Sequence, residues 1–157
     1  MANGYRGQGR QQRGGGYRND APSATLDTAD IDLRPGDKGA LRPELFDTTA
    51  QKAAKAVAGD GRNQANKPTQ LRQFYDELVM WEEKARANRD RFDEFLPFVR
   101  MLNAKAAYAA GRRHVDQNFV ALIGHCVGQV DSYETLRNFK LFIEAFLGFY
   151  KLERPSG

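Results

Sequence analysis

The sequence predicts an all-α protein: a compact bundle of about five helices preceded by a disordered Gly/Arg-rich tail. Three observations carry this. From Pro43 onward, apolar residues recur at steps of three and four, the rhythm of helices that each bury one face. No run of note alternates apolar with polar residues, as a half-buried strand would. Residues 1–18 hold six glycines, four arginines and two tyrosines, which cannot build a core.

Residues 19–42 are acidic and broken by Pro22, Pro35, Gly36 and Gly39. They read as a linker with one short ordered turn around Ile31 and Leu33. The expected organisation is therefore 1–42 as disordered tail and linker, and 43–157 as a helical bundle domain. Phe46, Ala50, Ala53, Ala54 and Val57 place the first helix, with Pro43 suited to its first turn and Gly59 to its C-terminal cap. A polar loop, Asp60 to Asn66, follows. The second helix is expected from Pro68 to about Ala87, with Leu71, Phe74, Tyr75, Leu78, Trp81 and Ala85 on its apolar face. The third runs from about Asp93 to Ala110, its inner face formed by Phe95, Phe98, Val99, Leu102, Ala106 and Ala109. Pro97 is tolerable only in its first turn, because proline lacks the N–H that a helix interior needs. The fourth, roughly Asp116 to Val130, has the cleanest period: Phe119, Leu122, Ile123, Cys126, Val127 and Val130. Asp131 and Ser132 supply capping oxygens for a fifth helix, about Tyr133 to Leu152. That helix is apolar over more than one face, so it is either buried centrally or covered by a partner.

The formal net charge of +4 is unevenly placed. Arg6, Arg10, Arg13 and Arg18 give the first 18 residues all of it, because they contain no acid. The rest is balanced, so any anion-binding surface on the folded part must come from local segregation of charge. Cys126 is the only cysteine, which rules out an intrachain disulfide and a cysteine metal cluster. No apolar run approaches the roughly 18 residues of a membrane span, and no signal peptide is seen. A cytoplasmic location is the expectation.

The stretch Lys105-Ala-Ala-Tyr108-Ala-Ala-Gly111-Arg112-Arg113 is the most informative. Lys105, Tyr108 and Arg112, at spacings of three and four, fall on one stripe beside the apolar face of the third helix. Cations interleaved with an aromatic suit a phosphate backbone whose bases can stack. The same spacing also suits a solvated flank with a half-buried tyrosine, and Gly111 could end the helix and turn Arg112 and Arg113 away. A second basic group, Asn66-Lys67-Pro68-Thr69-Gln70-Leu71-Arg72, opens the second helix, where N–H groups and cations suit a phosphate. Ordinary capping by Asn66 or Thr69 explains it equally. The 1–18 segment is similar to arginine-glycine RNA-binding tails, with Tyr5 and Tyr17 available to stack, or is a solubilising tail.

Nothing in the sequence supports catalysis. His114 reads as a loop or helix-start residue. His125 adjoins Cys126, but consecutive helical residues point about 100° apart and cannot share one ion. Acid pairs such as Asp76-Glu77 and Glu82-Glu83 are adjacent on helices and suit solvated faces better than an acid–base couple. Phosphate-binding loops need a preceding strand, and none is expected.

Three blocks in order carry a resemblance. Asn66 through Leu78 (Asn-Lys-Pro-Thr-Gln-Leu-Arg-Gln-Phe-Tyr-Asp-Glu-Leu) resembles the start of the small-subunit family of type III-A CRISPR effector (Csm) complexes. Leu96-Pro97 through Met101-Leu102, then Ala104-Lys105 and Tyr108-Ala109-Ala110-Gly111-Arg112, is similar to that family's central signature. Asn138-Phe139 through Phe142-Ile143-Glu144-Ala145 to Tyr150-Lys151 is similar to its last helix. The resemblance covers about residues 43–152; the tail has no counterpart in it. It implies a small helical, non-catalytic protein of the prokaryotic cytoplasm, without cofactor, metal or membrane. Its partners would be guide and target RNA, the backbone and large subunits of the complex, and neighbouring copies, on which the fifth helix could pack. RNA contacts are expected from Lys67, Arg72, Arg100, Lys105, Arg112 and Arg113, with Tyr108 stacking on RNA or bracing the stripe from beneath. They should address backbone and shape, because helix-surface cations contact phosphates without reading sequence. The competing expectation is a helical protein–protein adaptor with no nucleic-acid contact.

Overall fold

A computed structural model describes residues 25–60 and 64–155. Among them are five α-helices and no strand: α1 (Thr48–Ala58), α2 (Pro68–Ala87), α3 (Phe92–Gly111), α4 (Gln117–Gly128) and α5 (Tyr133–Glu153). The expected disorder of residues 1–18 lies outside the described residues, as does the centre of the loop between α1 and α2.

Each helix follows from its apolar period and its ends. The first expected helix is divided, because a single 3-10 turn, Pro43–Phe46, precedes α1 and the backbone bends at Asp47. Gly59 closes α1 at φ 61°, a left-handed conformation that glycine adopts without a Cβ clash. Asp116 caps α4 by accepting the Phe119 N–H. Ser132 caps α5 by accepting the Thr135 N–H while the Thr135 hydroxyl accepts from Ser132, a reciprocal capping box. Pro97 sits in the second turn of α3 rather than the first, because the helix begins at Phe92. Asp93, whose carbonyl loses its helical partner there, is exposed, so water can satisfy it.

α5 is the central helix. α1 and α2 pack on it, and α3 packs mainly on α4. Leu136, Phe139, Phe142, Ile143, Phe146 and Tyr150 are all buried. The all-round apolar character of α5 therefore reflects burial inside this chain, and the expected packing of α5 on a neighbouring copy loses its basis. The exposed large apolar residues lie chiefly elsewhere: Met80 on α2, and Phe98, Met101 and Tyr108 on α3, with Leu152 at the end of α5. Phe98, expected on the inner face, instead stacks on Trp81 at 5.2 Å at the edge of α2 and α3.

Residues 25–42, expected as linker, do turn where Ile31 bonds back to Thr28, but they are held tightly. Leu26, Ile31 and Leu33 join the hydrophobic core. Polar side chains of α4, of Gln129 just beyond it, and of α5 grip the strand-like backbone between them. Asn118 Oδ1 accepts from Leu26 N–H (3.1 Å), Gln129 bonds both Leu33 N–H (2.6 Å) and the Ile31 carbonyl (2.8 Å), and Asn138 donates to the Leu33 carbonyl (2.8 Å). His125 Nε2 lies 2.6 Å from the Ile31 carbonyl, so this histidine has a structural task. Cys126 is a core residue whose thiol is pushed up by burial. Among the described residues no cluster of side chains could hold a metal, and no helix is long and apolar enough to cross a membrane.

Asn66 ties the bundle together. It is fully buried at φ 58°. Its N–H donates to the His114 carbonyl (2.9 Å), its Nδ2 donates to the Val57 carbonyl (3.1 Å), and its Oδ1 accepts from the Asp116 N–H (2.9 Å). Its carbonyl accepts from the Tyr150 hydroxyl and from Arg154 Nη1 (3.1 Å). Burial pushes the Tyr150 phenol above its ordinary range, against the lowering pull of Arg154, so it stays a donor. One residue thus joins the end of α1, the α3–α4 turn and the end of α5. Removing its side chain orphans two backbone groups, and alanine is strained at positive φ. Asn66→Ala is therefore expected to lower the unfolding free energy by about 3 kcal/mol in urea titrations, and Asn66→Gly by less, since glycine tolerates the backbone.

Candidate functional site

A cleft of about 330 Å³ opens between α2 and α3. Its existence follows from the packing. α2 leans on α5 and α3 leans on α4, so the two helices leave a gap at the end away from their short connection. The connection, Asn88 and a 3-10 turn over Arg89–Arg91, makes α2 and α3 antiparallel. The Lys105 ammonium, on α3, reaches the Glu77 carboxylate on α2. Two turns further along, in opposite chain directions, Gln70 and Arg112 face the same space.

The C-terminal end of α3 fixes the basic side of the cleft. Gly111 remains helical and does not turn the chain. The turn falls two residues later. Arg113 N–H bonds the Ala110 carbonyl and His114 N–H bonds the Ala109 carbonyl, the paired bonds of a Schellman motif. Arg113 is the left-handed residue, at φ 61°, where glycine is usual. Arg112 consequently keeps helical register with Tyr108 and Lys105, and its guanidinium lies 5.8 Å from the Tyr108 ring centre.

The structure therefore brings Lys105, Tyr108 and Arg112 to one wall, with His114 at the end and Gln70, Gln73 and Glu77 opposite. Tyr108 is 68 % exposed, so it does not brace the stripe from beneath but presents its ring to solvent. The other expected contacts diverge. Arg72 lines a separate cleft between α2 and α5, pairs with Asp76 at 3.2 Å and lies over Tyr75 at 5.4 Å. Gln73 borders both clefts, so Arg72 is a neighbour of the first. Arg113 faces a third cleft with Gln64 and Gln117. Arg100 is exposed on α3 roughly 140° around the helix from Lys105. Lys67, at the start of α2, is exposed outside these clefts and caps nothing with its side chain. The suggestion that Asn66 caps this helix, or offers its amide to a phosphate, is not met, because that side chain turns inward.

Sequence reasoning missed Glu77, Gln73 and His114 as neighbours of the stripe, and kept Gln70 in the separate basic group at the start of α2. Antiparallel register was the available signal: once two helices are joined by a short turn, positions opposite each other can be counted from it. Glu77 matters chemically, because it occupies Lys105, and the pair is open to solvent chiefly on the lysine side. An exposed pair of this kind contributes about 1 kcal/mol or less, so an incoming anion can displace it.

A family model described as Csm2 Type III-A matches residues 41–156. No curated protein and no solved structure matches the chain.

The strained arginine gives a test of the geometry. Arg113→Gly is expected to leave the far-ultraviolet circular dichroism unchanged and to raise stability by up to about 1 kcal/mol in thermal melts. Arg113→Val is expected to lower it, because a β-branched residue fits positive φ worst.

Proposed function

The chain belongs to the Csm2 family, the structural small subunit of type III-A CRISPR complexes, and from that membership we propose that it is a non-catalytic RNA-binding subunit. In this reading it lines the channel that holds guide and target RNA, packs against the backbone and large subunits and against neighbouring copies, and works in the prokaryotic cytoplasm. The observation that carries the proposal is the meeting of Lys105, Tyr108 and Arg112 in one solvent-open cleft. Two cations about two helical turns apart, with an exposed ring between them, match a phosphate backbone carrying a base.

Of the seven expected contacts, Lys105, Tyr108 and Arg112 form the proposed site, with Arg72 flanking it across Gln73. Lys67, Arg100 and Arg113 are proposed as outlying phosphate contacts for an RNA long enough to cross several faces. The four arginines of residues 1–18 add sequence-independent attraction to phosphates. The family match begins at residue 41, while residues 25–42 pack into the same core as the helices.

A second reading, an adaptor without nucleic-acid contact, draws on the other end of the same surface. Met80, Phe98 and Met101 are exposed around the Trp81–Phe98 stack, and Trp81 Nε1 is buried with no hydrogen-bond partner. Exposed apolar side chains in one area mark a protein contact. The apolar patch and the basic stripe occupy successive turns of one face of α3, so a subunit can use both ends; only the RNA reading requires the cleft.

Filter-binding titrations with single-stranded RNA at several salt concentrations test the proposal. Lys105→Ala combined with Arg112→Ala should weaken binding and reduce the salt slope by about 1.4, two contacts at roughly 0.7 each, with helicity intact. Glu77→Gln should strengthen binding a few-fold, because it releases Lys105. Unchanged affinity and slope in the double variant would refute the cleft as an RNA site and leave the adaptor.

A further inference from the structure

Phosphate binding alone does not explain the opposite wall of the cleft. A surface that addressed only phosphates would be lined by cations and backbone N–H groups. Here Gln70 and Gln73, one helical turn apart on α2, face the basic wall of α3, and His114 closes the end. Primary amides each offer two donors and an acceptor, and imidazole offers one of each when neutral. Such groups complement the mixed donor and acceptor edge of a nucleobase better than an all-acceptor phosphate.

The second observation is Tyr108. A tyrosine ring 68 % exposed at the lip of a cleft forgoes most of the burial that its apolar surface could gain. Arg112 lies beside that ring and keeps its charge within reach of whatever stacks there. The cleft, at about 330 Å³ and open to solvent, has room for a base with part of its sugar. Base faces stack on tyrosine regardless of identity, and amides can rotate to satisfy either a donor or an acceptor.

From these features we infer that the α2–α3 cleft takes the base of one unpaired nucleotide of an RNA strand. The base stacks on Tyr108, its edge meets Gln70 and Gln73, and the flanking phosphates lie on Arg112 and on Lys105 once Glu77 releases it. This rests on the RNA-binding reading above and deepens it, since it adds a base to what was a backbone contact. The site holds a base without selecting one, because nothing rigid fixes the orientation of the amides.

The test uses the full chain and a short single-stranded RNA carrying 2-aminopurine, compared with a strand of the same length made abasic at every position. The expected results are quenching of the fluorescent base on binding, a loss of about tenfold in affinity with Tyr108→Ala, and retention of both by Tyr108→Phe. The salt slope should stay unchanged in Tyr108→Ala, because no phosphate contact is lost, and the abasic strand should bind wild type and Tyr108→Ala alike. If wild type binds abasic and intact strands equally, with its salt slope intact, the base site is overturned and the phosphate reading survives. If no RNA binds at any salt concentration, both fall. Displacement of the strand by adenosine monophosphate at matched nucleotide concentration would assign the cleft to a free nucleotide and overturn the strand. Unaltered RNA binding by Tyr108→Ala, with loss of the chain from the assembled complex, would make Tyr108 a protein contact and overturn it too.

Discussion

The bundle depends on a buried asparagine in a conformation few residues tolerate. Asn66 spends its N–H, its carbonyl and both atoms of its amide on three different parts of the chain. Each bond satisfies a backbone or side-chain group that burial would otherwise leave without water. The positive φ is what lets the chain enter α2 while the side chain points inward, and asparagine accepts that region more readily than most residues. The same bonds locate both walls of the cleft. Asn66 lies two residues before α2, which carries Gln70 and Gln73, and it holds His114 and Asp116, which follow the two arginines just past α3. The distance between the walls at the closed end is therefore set by one residue's hydrogen bonds.

Burial of α5 explains where the remaining surface is free. A helix carrying Phe139, Phe142 and Phe146 has to be surrounded, and α1, α2 and the segment with Leu33 surround it. With α4 covered by α3 and by the same segment, the outer faces of α2 and α3 stay open to solvent. One end of that surface is polar and cationic around Arg112, and the other is apolar around Phe98 and Met101. A chain with no net charge outside its tail thus separates a cationic lip from an apolar patch along a single helix, α3.

Helix period made most of the fold legible. Leu122, Ile123, Cys126 and Val127 fall where a 3.6-residue repeat puts them, and Ser132 and Gly59 announce helix ends through capping and positive φ. What stayed hidden depended on contacts distant in sequence. Leu26, Ile31 and Leu33 are too few to set a period, and their burial depends on Gln129 and Asn138, about a hundred residues away. Arg113 at positive φ was not legible, because Gly111 offered the more obvious stop and the chain did not use it. The side-by-side placement of Lys105, Tyr108 and Arg112 was legible from spacing alone. Their carboxylate and amide neighbours were not, because those come from another helix.

Photo-crosslinking tests the central claim most directly. RNA containing 4-thiouridine is irradiated with the full chain, and the adduct is located by peptide mass spectrometry. The account predicts attachment within residues 105–114, centred on Tyr108, and loss of that adduct in Asn66→Ala protein that remains folded. Adducts confined to the Phe98 and Met101 face, or retained unchanged when Asn66 is replaced, would contradict it.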